Sequence, residues 1–396
     1  MREKVMAAGH LCLDITPRFG VSEGLDIGRV FSPGRLTNVR EAVISTGGSV
    51  SNTGLAVAKL GCDVLLNGKI GDDAFGDIIR RLIPAHAAST LRTVSGQASS
   101  YTIVLAPPGV DRFFLHYPAA NDSFGAEDID YTAAAACNLF HFGYPPLMSN
   151  MFQNQGRELV EMYTRLKSLA LTTSLDMAMP DPASPSGLAD WKLILRNVAP
   201  YVDLLLPSID EITFMLDRPL FEKTKARPPH GRTAGAYPPH EVAKISDTLL
   251  SMGFKIVLLK CGVAGAFLRT ASADRIAAMG KSRPSDVESW SDRQIWAPSF
   301  SAENFASALG AGDSTVAGFL CALIRGFSPE DSLTIANILG WQNVHAVDAL
   351  TGITDFDTVL QILKSPNMPR NQIPLQPPDW TYSKTHKLYH GPQDRK

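Results

Sequence analysis

The sequence predicts an α/β fold, with a mainly parallel sheet covered by helices. Short apolar runs alternate with stretches of helical spacing along most of the 396 residues, and glycine or aspartate turns stand at the junctions. The runs lack the polar alternation of a half-exposed strand, so they suit strands buried on both faces. With 45% hydrophobic and 19% charged residues the chain can build a large core, which excludes global disorder. Thirty-seven basic against 39 acidic residues leave a formal charge of -2, too balanced for a footprint on nucleic acid or an anionic membrane. The expected partners are small molecules.

Strands are expected at 5–13, 64–66, 139–142, 173–175, 202–206 and 256–259, each a run of β-branched or aliphatic residues. Helices are expected at 50–60, 74–82, 156–169, 241–252 and 315–325; in the last, Val316, Phe319, Leu320 and Leu323 share one face. Two segments break the alternation. Residues 18–46 are glycine-rich, and 96–120 alternate as Ser100-Tyr101-Thr102-Ile103-Val104-Leu105, turn at Pro107-Pro108-Gly109 and resume at Arg112-Phe113-Phe114-Leu115. Both read as hairpins off the main sheet, the material of a lid. Residues 218–240 and 272–293 read as surface insertions, and 365–396 as a proline-rich tail, draped or disordered. The dispersed cysteines, Cys12, Cys62, Cys137, Cys261 and Cys321, include no C-x-x-C and suit a reducing compartment. No apolar run is long enough for a membrane span or a signal peptide, so a cytoplasmic protein is expected.

The sharpest chemical segment is Gly310-Ala311-Gly312-Asp313 at the head of the 315–325 helix. Glycines before a helix let backbone N–H groups converge, and the helix dipole adds positive potential, which together make an anion hole. Asp313 on the same turn is placed to take a proton from an attacking hydroxyl; as a plain cap it would need no ligand. A dinucleotide fingerprint would need glycine at Thr315, and the one Gly-Lys-Ser, at Gly280, has Arg275 where a Walker A loop starts with glycine. A second segment, Gly47-Gly48-Ser49-Val50-Ser51-Asn52, allows close approach to the backbone and offers Asn52 to a hydroxyl.

In their order, Gly9 and Asp14 on an opening strand, Gly47-Gly48 with Asn52, Lys69-Ile70-Gly71-Asp72-Asp73, and Gly310-Ala311-Gly312-Asp313 before Ala317-Gly318-Phe319 resemble the ribokinase or PfkB carbohydrate kinase family. The resemblance spans residues 5 to about 360. It implies a ribokinase-like three-layer α/β/α sandwich, residues 1–364 forming one domain with a β lid. The implied reaction moves the γ-phosphate of ATP, with Mg²⁺, to a hydroxyl of a sugar, sugar derivative or nucleoside. Asp313 would be the base and the amides of Gly310, Ala311 and Gly312 the anion hole. Asp14, Gly47, Gly48 and Asn52 would hold the acceptor, and Lys260, Gly262 and Asn337 the nucleotide. Glu211, in Leu206-Pro207-Ser208-Ile209-Asp210-Glu211, would influence the metal through water. Apart from the resemblance, an exposed lid would offer an edge that a second subunit could cover in a homodimer. Where the family reads Asp-Thr-x before the anion loop, this chain has Ser307-Ala308-Leu309, so a monovalent cation is left open. Lys260 replaces a threonine and Ser208 an asparagine. The alternative is a relative that binds such a molecule without transferring phosphate.

Overall fold

The computed structural model describes residues 3–20, 28, 32–107, 112–226, 237–365, 368–373, 375 and 379–394. The chain opens with β1 (Lys4–Gly9). The expected run 5–13 breaks here because Gly9 has φ 117°, and a Cβ in its place would lie 2.4 Å from the Gly143 carbonyl oxygen. Beyond the break, β2 (Cys12–Arg18) leaves the main sheet and pairs antiparallel with β3 (Arg40–Gly47). Helix α1 (Ser49–Lys59) then leads into β4 (Asp63–Asn67), parallel to β1. A ribbon of β5 (Lys69–Gly71) and β6 (Arg92–Val94), with α2 (Ala74–Leu82) between them, precedes β7 (Tyr101–Leu105) and β8 (Phe113–Tyr117). These last two complete a lid sheet in the order β3-β2-β7-β8.

The body continues through β9 (Leu139–Gly143), α3 (Arg157–Ser168), β10 (Thr172–Asp176), α4 (Trp191–Val198), β11 (Leu204–Leu205), α5 (Ile209–Leu216), α6 (Pro239–Met252) and β12 (Ile256–Lys260). Strands β13 (Ala266–Thr270) and β14 (Gln294–Ala297) follow, then α7 (Ala311–Ile324), α8 (Pro329–Asn343), β15 (Thr381–Ser383) and β16 (Leu388–His390). Among the described residues the main sheet has the order β15-β16-β14-β13-β12-β11-β10-β9-β1-β4, parallel from β12 to β4 and antiparallel beyond. Alternation sorts its side chains into two cores. Val5, Ala7, Val64, Leu66, Ile256 and Leu258 pack with α1, α7 and α8, while Met6, Ala8, Phe140, Phe142, Val257 and Leu259 pack with α3, α4 and α6. Three layers result, as expected.

Three expectations change. The 365–396 stretch is no loose tail in its described part: β16 pairs with β14, and Trp380 packs edge-on against Phe267 and Trp296. The reason is local, since β14 would otherwise be a bare edge and the buried Arg293 guanidinium would lack the Asp394 carboxylate, 2.7 Å from Nε. Residues 272–293 pack into the body as well: Trp290 is buried against Phe319, and the Ser282 N–H donates to Thr172 Oγ1 at 2.9 Å. The run 202–206 yields only the two-residue β11. Of the expected lid, residues 21–27, 29–31 and 108–111 lie outside the described residues, as do 227–236 of the 218–240 insertion, with Pro228-Pro229. Among the described residues no helix is long and apolar enough to cross a membrane.

Candidate active site

The parallel strands end along one edge, and their last residues form a row. Gly9 of β1 is in register with Gly143 of β9, and Gly143 with Asp176 of β10; Ser208, after β11, bridges to Lys260 at the end of β12. His10 and Tyr144 therefore stand just beyond this edge, where α/β sheets bind ligands. Two helices start above it. Gly48 precedes α1 with φ 85°, and a Cβ there would sit 2.4 Å from the His10 carbonyl oxygen, so only glycine lets the helix start so close to the sheet. Gly310 precedes α7 with φ 74°, the left-handed region.

These starts bring the two expected motifs together. Asn52 Nδ2 donates to Asp313 Oδ2 at 3.2 Å, and Thr53 Oγ1 donates to Oδ1 at 3.0 Å. The Tyr144 hydroxyl donates to the same Oδ1 at 2.7 Å. Asp313 is buried, at 4% exposure, on the first turn of α7. The Ala311 N–H turns back onto the Ala308 carbonyl at 3.2 Å. It is therefore not free for an anion as expected, and the first-turn N–H groups with no acceptor inside the helix are those of Gly312 and Asp313.

Asp14, on β2, lies under Gly47: a Cβ on that glycine would come within 2.2 Å of its carboxylate. Burial, with a smaller push from Asp313, raises the Asp14 carboxyl to about 6; the Cys12 thiol and Thr102 pull the other way. On the far side of Asp313, Lys260 Nζ lies 2.8 and 2.9 Å from the two oxygens of Asp176 and 3.6 Å from where a Gly312 Cβ would be. The ammonium thus faces the anion loop. Burial works against its charge, but Asp176 and Glu211 outweigh it and hold the Lys260 proton more tightly than usual. Burial lifts Asp176 to about 7 against the pull of Lys260. Glu211 closes a capping box on α5, accepting from the Ser208 N–H at 2.7 Å, and burial raises its carboxyl as well.

Other expected residues stand apart from this cluster. Gly262 has φ 54° and open space around it. The Asn337 amide nitrogen donates to the carbonyls of Ala297 and Pro298, at 2.9 and 3.3 Å, fastening α8 to the end of β14. Sequence reasoning missed Thr53 and Tyr144, and it gave no role to His10 or His116. His10 and His116 meet, Nε2 to Nε2, at 3.2 Å between body and lid, and burial makes both harder to protonate. Arg112 also links the lid to the anion loop, donating to Ser307 Oγ at 3.2 Å. Among the described residues no cluster of three or more His, Cys, Asp or Glu could hold a metal by itself.

A buried carboxylate at a helix start, an ammonium beside it and a small sheet beside the strand ends are the parts that phosphoryl transfer asks of a protein. The sequence model of the pfkB family carbohydrate kinases matches residues 3–354, and the chain belongs to that family. It is 23% identical over 351 residues to a 1-phosphofructokinase of Haloferax volcanii, covering 88% of this chain and 95% of that one. To an uncharacterized sugar kinase of Archaeoglobus fulgidus it is 21% identical over 300 residues, 76% of this chain and 98% of the other. The fold superposes on an Arabidopsis thaliana ribokinase complexed with ribose and ATP with a TM-score of 0.67, at 17% identity, over 92% of this chain and all of that one. A fructokinase with bound ATP from Xylella fastidiosa gives 0.66, also at 17%, over 92% and 99%.

Proposed function

We propose that this carbohydrate kinase transfers the γ-phosphate of ATP to a hydroxyl of a sugar, a sugar derivative or a nucleoside. The observation that carries the reading is the seat of Asp313, a buried carboxylate shared by the starts of α1 and α7, with Asn52 on one side and the Lys260 ammonium on the other. Asp14 and Asn52 hold acceptor hydroxyls beside Asp313, Gly47 and Gly48 giving them room. Asp313 takes the proton of the attacking hydroxyl as the bond to phosphorus forms. The Gly312 and Asp313 amides, the α7 dipole and Lys260 stabilise charge on the transferring phosphoryl group. Gly262 borders the nucleotide from open space, and the lid excludes water, the competing acceptor. The buried carboxylates Asp176 and Glu211 sit around Lys260 and fit a divalent ion held through water and nucleotide phosphates, which Mg²⁺ prefers to an all-protein cage. Mg²⁺ would neutralise phosphate charge there.

The test mixes the protein with Mg-ATP and a panel of sugars, sugar phosphates and nucleosides and follows ADP release. Asp313→Asn should lower turnover by roughly 10²- to 10⁴-fold while leaving the thermal shift from the acceptor in place. Full turnover in that variant removes Asp313 as the base. A thermal shift with no turnover in the natural protein would instead favour a binding relative.

A further inference from the structure

Each oxygen of a carboxylate offers two lone pairs. On Asp313 the Oδ1 atom receives two hydroxyl donors, Thr53 at 3.0 Å and Tyr144 at 2.7 Å, while among the described residues Oδ2 receives only the Asn52 amide, at 3.2 Å. Oδ1 is full and Oδ2 keeps one open lone pair, on the side of the residue that offers itself to the acceptor.

Tyr144 is not a side chain that happens to swing into this place. Its backbone is left-handed, with φ 71°, a conformation that is costly for a bulky residue and persists only where the surroundings enforce it. The Tyr144 N–H is fastened to the Asp176 carbonyl at 3.2 Å, the end of the neighbouring strand, and Pro145 and Pro146 follow at once. The ring stands 6.2 Å from that of His10. Burial first, and the Asp313 charge second, push ionisation of the phenol well above its ordinary value, so the hydroxyl remains a donor throughout the physiological range.

We propose that Tyr144 is a positioning residue which, with Thr53, saturates Oδ1 of Asp313 and leaves Oδ2 as the one atom that accepts a proton. The inference rests on the reading of Asp313 as the base. Its consequence is selectivity between nucleophiles. A hydroxyl seated on Asn52 meets the open lone pair on Oδ2, whereas a water approaching Oδ1 finds no site. Without the phenol, Oδ1 regains a lone pair, and a water bound there is activated for attack on ATP. The proton of that water passes to Asp313, oxygen bonds to the γ-phosphorus, and ADP leaves with inorganic phosphate as the co-product.

The experiment measures ADP release from Mg-ATP with no acceptor present, in the natural protein and in Tyr144→Phe, Thr53→Val, Asp313→Asn and Tyr144→Phe/Asp313→Asn. Tyr144→Phe should raise this release about tenfold, the scale of one hydrogen bond to a charged group. Thr53→Val, which frees the other lone pair of Oδ1, should raise it in the same direction, and the double variant should return it to the Asp313→Asn level. Melting temperature is followed in parallel, since lost packing would move it and would not raise hydrolysis. Unchanged or lower release in Tyr144→Phe, with Asp313→Asn inactive toward acceptors, overturns the role of Tyr144 and leaves the base standing. Raised release that persists in the double variant overturns it too, because the water would then be activated without Asp313.

Discussion

Asp14 faces two opposing demands. On the proposed reading its carboxylate is charged when it grips an acceptor hydroxyl, yet burial raises its proton affinity to about 6. The folded state therefore binds more protons at this side chain than the unfolded chain does between about pH 4 and 6, and stability from this group falls as pH rises through that window, then levels off above it. Asp14→Asn should stabilise the protein by roughly 1–3 kcal/mol at pH 8 and by almost nothing near pH 4, the upper figure being the full free energy of lifting a carboxyl from about 4 to about 6. Thermal unfolding at the two pH values checks this. In the natural enzyme the acceptor KM should climb as pH drops below about 6, and a KM flat from pH 5 to 8 would show that Asp14 does not hold the acceptor. Asp313 and Asn52 were legible in the sequence because glycines mark the helix starts that carry them. Tyr144 was not: its signal was a tyrosine between Gly143 and Pro145, a sequence that reads as an ordinary turn until the strand register puts the ring over Asp313. The meeting of His10 with His116 was equally hidden, since residues that distant in the chain have no spacing to read.

At the level of elements, periodicity was a good guide where an element buries an unbroken apolar face. Helix α2 (Ala74–Leu82) falls where expected, and β9 (Leu139–Gly143) extends its run by one residue. It was a poor guide to β11, which is confined to Leu204–Leu205 because the chain enters α5 almost at once. Strands β15 and β16 were invisible for another reason: Thr381, Tyr382 and Ser383 are mostly polar and become a strand only because β16 offers them an edge. Strand β8 raises the opposite question. It forms the outer edge of the lid, and all five of its residues are exposed, among them Phe114 at 53%, Leu115 at 56% and Tyr117 at 48%. An edge strand with exposed apolar side chains such as Phe114 and Leu115 invites a second chain. We propose that another copy of the chain covers it. Light scattering should give a dimer that Leu115→Lys splits, and a natural protein that runs as a monomer at tens of micromolar would refute the pairing.

Over the whole molecule, the two motifs from separate stretches of the chain share one carboxylate, so Asn52 and Asp313 sit in one packed unit. The C-terminal segment belongs to that unit too. Arg293, with no exposed side-chain surface, is clasped by Glu330 and by Asp394. Breaking such a buried cluster from one side typically costs about 3–5 kcal/mol, so Asp394→Ala should lower the denaturation midpoint sharply, whereas neighbouring Gln393→Ala should cost far less. Equal midpoints in a denaturant titration would show that Arg293 is satisfied without the tail. The same clasp orders events during synthesis. Until residues 388–394 have been made, β14 presents an unpaired edge and the Arg293 guanidinium lacks its second carboxylate. A chain that folds its centre before this segment docks carries an adhesive seam, so the interval before docking is when a foreign strand can most easily take the place of β16.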